Sequence, residues 1–141
     1  MQLSRSDRDW IAAYRKELAT QYPGVVEEFL VYGSKARGTA RRDSDLDVLL
    51  IIDDHKAAEK RQLRRAGYLL AATSDVLPSI LVYTRSEWAQ RRARRSSFQR
   101  AVERDALRLD LDLDSGSTGA KPNCPTSGSG ARIVNKDVET R

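Results

Sequence analysis

Cysteine occurs once in the 141 residues, at Cys124, and histidine once, at His55. A lone thiol closes no intramolecular disulfide, and neither residue has a partner within metal-ligand spacing. Disulfide scaffolds and zinc centres are therefore excluded as organising principles, and both residues read as incidental or structural. No apolar run approaches the roughly 20 residues that cross a bilayer. The opening MQLSRSDRDW lacks the apolar stretch of a signal peptide, so a cytoplasmic protein is expected, with no membrane partner. Aromatic residues make up only 6 % of the chain. Near the basic run RRARR (91–95) the only ones are Trp88 and Phe98, both on apolar stripes, so the interleaved aromatic platform of a base-stacking surface is missing and nucleic acid is not the expected partner. Internal repeats are absent.

What remains is a charged, water-compatible composition, 40 % hydrophobic and 32 % charged, with a formal net charge of +5. The excess is mostly arginine. It is compatible with a polyanionic partner, a phosphorylated substrate or a solvated face, and composition does not choose among them. The length suits one domain with one core.

Apolar periodicity orders that domain. Trp10, Ala13, Tyr14 and Leu18 define an amphipathic helix over 6–22, with Ser6 and Asp9 at capping-box spacing and Pro23-Gly24 ending it. VVEEFLVY (25–32) is a strand by its β-branched and aromatic content, and Leu46–Ile52 is a second, aliphatic on both faces and so central in a sheet. Residues 55–73 return to helical spacing. LPSILVYT (77–84) is a third strand, and Pro78 directs it to an edge or makes it a strand start. Thr84 with Glu87 and Ser96 with Gln99 then start two further helices. The class is α/β (α+β) with a small mixed sheet flanked by helices. Beyond Leu113 glycine, serine, threonine and proline dominate, which places the domain in 1–114 and a mostly disordered tail in 115–141. The alternation LDLDLD at 109–114 suggests a short edge strand. It is not a calcium loop, because Ser115 and Lys121 stand where an EF-hand needs glycine and glutamate.

The chemistry concentrates in VYGSKARGTARRDSDLDVLLII (31–52). On a strand, Asp45 and Asp47 project to one side with Cα atoms roughly 6.5–7 Å apart. Two such carboxylates repel each other at the mouth of an aliphatic strand, and a hard divalent ion such as Mg²⁺ would relieve that repulsion. At the end of the preceding strand, Gly33 lets backbone amides approach a phosphate, Ser34 adds a hydroxyl, and a helical turn through Arg37 points its start at the same anion. The segment is not a P-loop, since GSKARGTA lacks G-K-[ST] and no long helix follows. Arg41 and Arg42 lie in the connecting loop and read as solvated, and Asp43 as a turn residue.

Gly33-Ser34, ten residues, then Asp45-Leu46-Asp47, with strands on both sides, resembles the nucleotidyltransferase domain of the DNA polymerase β superfamily. GSKARG and SDLD are similar in particular to the paired motifs of the minimal nucleotidyltransferase (MNT) proteins. The resemblance covers residues 6–84 and extends to the helices in SEWAQRRARRSSFQRAVERDALRL. It implies the polymerase β-like fold, ATP as substrate, a two-metal Mg²⁺ site on Asp45 and Asp47, and triphosphate binding by Gly33 and Ser34 with help from Arg37. AMP would pass to a hydroxyl, on a helical HEPN-type partner in a toxin–antitoxin pair or on an aminoglycoside-like small molecule. The small-molecule acceptor normally calls for an added domain, for which this length leaves no room. Active relatives carry a third carboxylate on the next strand. Here Ser79 takes that position, and Asp75 is the nearest acidic substitute. The departure keeps open a weak or inactive protein that neutralises its partner by binding alone.

Overall fold

The computed structural model describes residues 2–41 and 44–111. Arg42, Asp43, Cys124, the EF-hand-like aspartates beyond 111 and the proposed domain end and tail all lie outside the described residues.

The chain begins with α1 (Arg5–Gln21) and β1 (Val26–Tyr32), then makes a single helical turn, α2 (Gly33–Arg37), before β2 (Leu46–Ile52). A 3-10 segment (Asp54–Glu59) leads into α3 (Lys60–Ala71) and β3 (Pro78–Thr84). α4 (Arg85–Ala93), α5 (Ser97–Asp105) and the short β4 (Leu107–Leu109) complete it. The four strands form one mixed sheet in the order β3-β2-β1-β4, with β2 antiparallel to β1 and parallel to β3. This is the expected α/β class. Among the described residues no helix is long and apolar enough to cross a membrane.

β2 is interior, as its aliphatic run requires. Its even-numbered residues pack with Trp10, Tyr14, Leu18 and Leu63 from α1 and α3. Leu49 and Ile51 face the opposite way, against Trp88 of α4 and Val102 of α5. Period-2 alternation thus serves two apolar layers at once, and each fully buried Leu or Ile contributes about 1.5–3 kcal/mol. Six of the seven β2 residues are buried, and the exception is Asp47. β3 lies at the edge and is protected along its outer side. Pro78 has no N–H to offer, Ile80 N donates to the Tyr68 hydroxyl (3.0 Å), and Thr84 N donates to Glu87 Oε1 (2.8 Å). These devices blunt the row of free donors that invites strand addition.

Three local expectations are corrected. α1 is capped by Ser4 and Asp7 rather than by Ser6 and Asp9. Both pairs have the S-x-x-D spacing, but among the described residues only Asp7 has an ion pair. Asp7 is buried to 2 % exposure, and its Oδ2 accepts from Ser4 N at 3.0 Å and from Lys35 Nζ at 2.8 Å. A carboxylate that far from water is tolerable only when paired in this way. The helix expected over 55–73 is split into a 3-10 segment and α3, with Lys56 outside helical geometry at φ −113°. The edge strand comes earlier than LDLDLD suggests, because β1 pairs with Leu107–Leu109.

α3 meets α1 through a glycine. Trp10 Nε1 donates to Gly67 O (2.9 Å), and the Tyr14 hydroxyl donates to Leu63 O (2.6 Å). A Cβ at Gly67 would press on Ile80 Cδ1 and come within 2.8 Å of Tyr14 Cζ. Gly67→Ala gains about 1 kcal/mol of helix propensity. Against this stand about 1–3 kcal/mol of overpacking and strain on a buried Tyr14 hydrogen bond worth about 1 kcal/mol. A net loss of about 1–2 kcal/mol is expected, read as a lower urea midpoint with an unchanged slope. An unchanged or raised midpoint would show that Tyr14 moves aside freely.

Candidate active site

The site is built where β1 ends and β2 begins. Tyr32, the last residue of β1, pairs in register with Asp47. The chain then turns at Gly33, whose φ of +80° lies in the left-handed region. Gly33 also lies so close to Asp47 that an added Cβ would run into Asp47 Oδ2 and stand 3.1 Å from its Cγ. The glycine is required twice, by conformation and by proximity. With five residues α2 is too short to develop a macrodipole, and what it offers is the unbonded amides of its first turn. It carries no acidic residue in that turn and no side-chain cap. The turn closes when Gly38 N and Thr39 N both donate to Ser34 O at 2.9 Å. The N-terminal segment braces it from behind, with Gln2 N donating to Lys35 O (2.8 Å) and Ala40 N to Gln2 Oε1 (2.7 Å).

Asp47 is half-buried and Asp45 exposed just ahead of the strand. Burial, and after it the neighbouring charge of Asp45, push the Asp47 carboxyl above the usual carboxylate range, while Arg37 and Lys35 pull it back down. The Tyr32 phenol is pushed up to about 12, first by burial and then by the charge of Asp47. The structure therefore brings Gly33, Arg37, Asp45 and Asp47 into one electrostatic neighbourhood, with Ser34 in the turn between them. Among the described residues Arg37 has only a long ion pair, 3.9 Å to Asp105, which Arg104 already holds through two 3.0 Å hydrogen bonds. A half-exposed pair at that distance is worth little, so Arg37 can turn to an anionic substrate. Arg41 is exposed, its backbone clasped to Ser44.

Asp75 is placed elsewhere. It is exposed in the α3–β3 connection and lines a cavity with Ser6, Asp9 and Trp10, on the α1 side of the sheet. It is not among the charges that act on Asp47. The residue facing Asp47 across the parallel β2–β3 ladder is Ser79. Among the described residues no group of three or more His, Cys, Asp or Glu side chains could hold a metal ion. Among the described residues the donor set is thus two carboxylates, Asp45 and Asp47, beside the Gly33–Arg37 turn. This fits Mg²⁺, which commonly takes one or two carboxylates and completes its shell with substrate phosphate oxygens and water. The mutual repulsion of Asp45 and Asp47 is the feature that such a cation relieves.

Two neighbours were not legible as site residues. Lys35 occupies an unspecified position inside GSKARG; its charge acts on the Asp47 carboxyl while its Nζ donates to Asp7, 28 residues away in sequence. Tyr32 becomes a neighbour of Asp47 only through strand register.

Over residues 11–104 the chain matches the nucleotidyltransferase domain family. It belongs to that family. Nucleotidyl transfer is accordingly the general chemistry of this domain, and the two halves of the site both fall within the matched span. A crystal structure of a protein from Sulfolobus solfataricus, described as a "putative nucleotidyltransferase", is similar at 20 % identity, covering 77 % of this chain and 89 % of that one with a TM-score of 0.39. No curated protein matches the sequence.

Proposed function

We propose that this nucleotidyltransferase domain transfers AMP from ATP to a hydroxyl of a protein partner, as a cytoplasmic MNT-type antitoxin paired with a helical HEPN-type toxin. The observation that carries the reading is the contact of Gly33 with Asp47, which sets phosphate-binding backbone against a carboxylate pair. The Gly33–Ser34 amides and hydroxyl would hold the β and γ phosphates, and Arg37 would lie along the triphosphate. Asp45 and Asp47 would hold Mg²⁺, which when bound offsets the charge on the triphosphate and on the departing pyrophosphate. The acceptor oxygen forms a bond to the α-phosphorus as the bond to pyrophosphate breaks. Ser79 does not ionise near neutral pH, so the hydroxyl proton leaves to solvent or to a group on the acceptor.

A second reading is favoured by one specific observation, the presence of Ser79 rather than a carboxylate opposite Asp47. With no third acid beside Asp45 and Asp47 among the described residues, the protein would neutralise its partner by binding and turn nucleotide over slowly or not at all. Incubation with Mg²⁺, ATP labelled at the α-phosphate and a candidate HEPN-type partner separates the two. Label on a partner hydroxyl, dependent on Mg²⁺, is expected. A stable complex without label selects the binding-only reading. Label on an aminoglycoside but not on protein would select a small-molecule acceptor. Calorimetry showing no Mg²⁺-dependent uptake of any nucleoside triphosphate would overturn the nucleotide site itself.

A further inference from the structure

A second cavity, of about 340 Å³, lies on the α4–α5 side of the sheet and is framed by Lys60, Val82, Tyr83, Glu87, Gln90, Arg91, Arg94 and Ser96. Val82 and Tyr83 are three and four residues beyond Ser79 on β3, which puts the cavity roughly 10–13 Å along the strand from the Asp47 register position. It is separate from the site above.

Its walls are basic in a specific way. Glu87, the one acid, is already committed: its Oε1 accepts from Lys60 Nζ at 2.6 Å and from Thr84 N at 2.8 Å. Lys60 and Glu87 therefore cancel, leaving two guanidinium groups uncompensated. Arg91 lies over the Tyr83 ring, 4.9 Å to its centroid, and within 5.7 Å of the Phe98 centroid. A guanidinium held over an aromatic ring keeps N–H donors that the ring does not use. Neither Arg91 nor Arg94 has an ion-pair partner among the described residues. The turn that joins the helices sets this geometry. Arg95 N donates to Arg92 O and Ser96 N to Arg91 O, both at 3.0 Å, with Arg95 at φ +56°. This is a Schellman closure with arginine where glycine is usual, at a cost of about 1 kcal/mol. The next residue, Ser96, immediately caps α5, its Oγ accepting from Gln99 N (3.2 Å). The Ser96 hydroxyl proton is thus left to donate toward the cavity.

We propose that this cavity binds a small phosphoryl anion, inorganic pyrophosphate or the terminal phosphates of a nucleotide, through Arg91, Arg94 and Ser96. A nucleic-acid backbone fits less well. Arg92 is taken by Glu103, Arg104 by Asp105 and Arg108 by Glu28, so the helical arginines form no continuous basic stripe. Arg91 also covers the Tyr83 ring that a base would need for stacking. The site reads phosphate and not base.

The test is an amide NMR titration of the full chain with sodium pyrophosphate in EDTA, where Mg²⁺-dependent binding at Asp45 and Asp47 is suppressed. Saturable shifts across residues 91–99 are expected, with those of 33–37 unmoved. Arg94→Glu, an exposed position, should weaken binding at least about tenfold, the loss of one charge-assisted contact. Arg61→Glu, on the exposed side of α3, should leave it unchanged. Inorganic phosphate and ATP titrated in parallel distinguish the source of the phosphoryl group. No shift near 91–99, shifts at 33–37 instead, or equal affinity in Arg94→Glu would overturn the proposal. So would a short RNA that binds more tightly than pyrophosphate and also moves Arg100 and Arg104.

Discussion

Asp47→Asn is expected to lower nucleotidyl transfer by about a hundredfold to a thousandfold or more, the scale of losing one electrostatic contact to the reacting group. In the absence of divalent ions it should also make the folded protein more stable near neutral pH. Asp47 is the sole residue of β2 that is not buried, and both burial and Asp45 raise its affinity for a proton. Because the folded state holds that proton more tightly than the unfolded chain, the favourable contribution is present in acid and is lost as pH rises through the raised value. Asparagine carries no such penalty, so the mutant's advantage should appear above the ordinary carboxylate range and vanish in acid. Melting curves in EDTA across pH, run beside the transfer assay, check both halves. A mutant equally active, or one destabilised at neutral pH, would mean that Asp47 serves packing and not chemistry.

The second large effect concerns a residue with no functional group. In Gly33→Ala the methyl carbon collides with the Asp47 carboxylate, and the backbone at φ +80° is strained for any L side chain. Either the turn retreats or Asp47 swings away, and in both cases the first-turn amides of α2 and the Asp47 carboxylate separate. A misplacement of about 1 Å costs on the order of a hundredfold in rate, while left-handed strain costs about 1–3 kcal/mol of stability. The expected result is a protein that still folds, with its melting temperature lowered, and with transfer reduced about a hundredfold and Mg²⁺-dependent ATP affinity weakened. Full activity in this variant would show that the turn and the aspartate work independently. Gly24 is a useful control, since it also has positive φ, at +75°, but nothing lies within 4 Å of an added Cβ. Gly24→Ala should show the strain without the loss of function.

The central position of β2, the edge position of β3, the two faces of the core and the Thr84–Glu87 cap were all readable, because each follows from residue periodicity or spacing within a few turns of chain. The placing of G-S-x10-D-x-D was readable in the same way, because Gly33 and Ser34 open the turn after β1 and Asp45 and Asp47 stand at the start of β2, two strands that pair with each other. Asp75 shows the limit. Nearness in sequence to Ser79 makes it the nearest acidic substitute there, but in the fold Asp75 is exposed and lines a cavity with Ser6, Asp9 and Trp10 of the α1 region. The choice between Ser4 and Ser6 as the helix cap was likewise undecidable locally, since identical spacing serves both and the arbiter is Lys35.

By itself, then, the order of residues determined the elements, the layer pattern and the acidic pair with its small-residue bend, because short-range periodicity and steric preference act on neighbours along the chain. Only the tertiary structure decided that Gly33 touches Asp47, that Ser79 faces it, that Asp7 restrains Lys35 and that two arginines line a cavity with their charge uncompensated. Those are relations between strands in register and helices across a core, and they exist only once burial of the apolar faces has brought distant segments together.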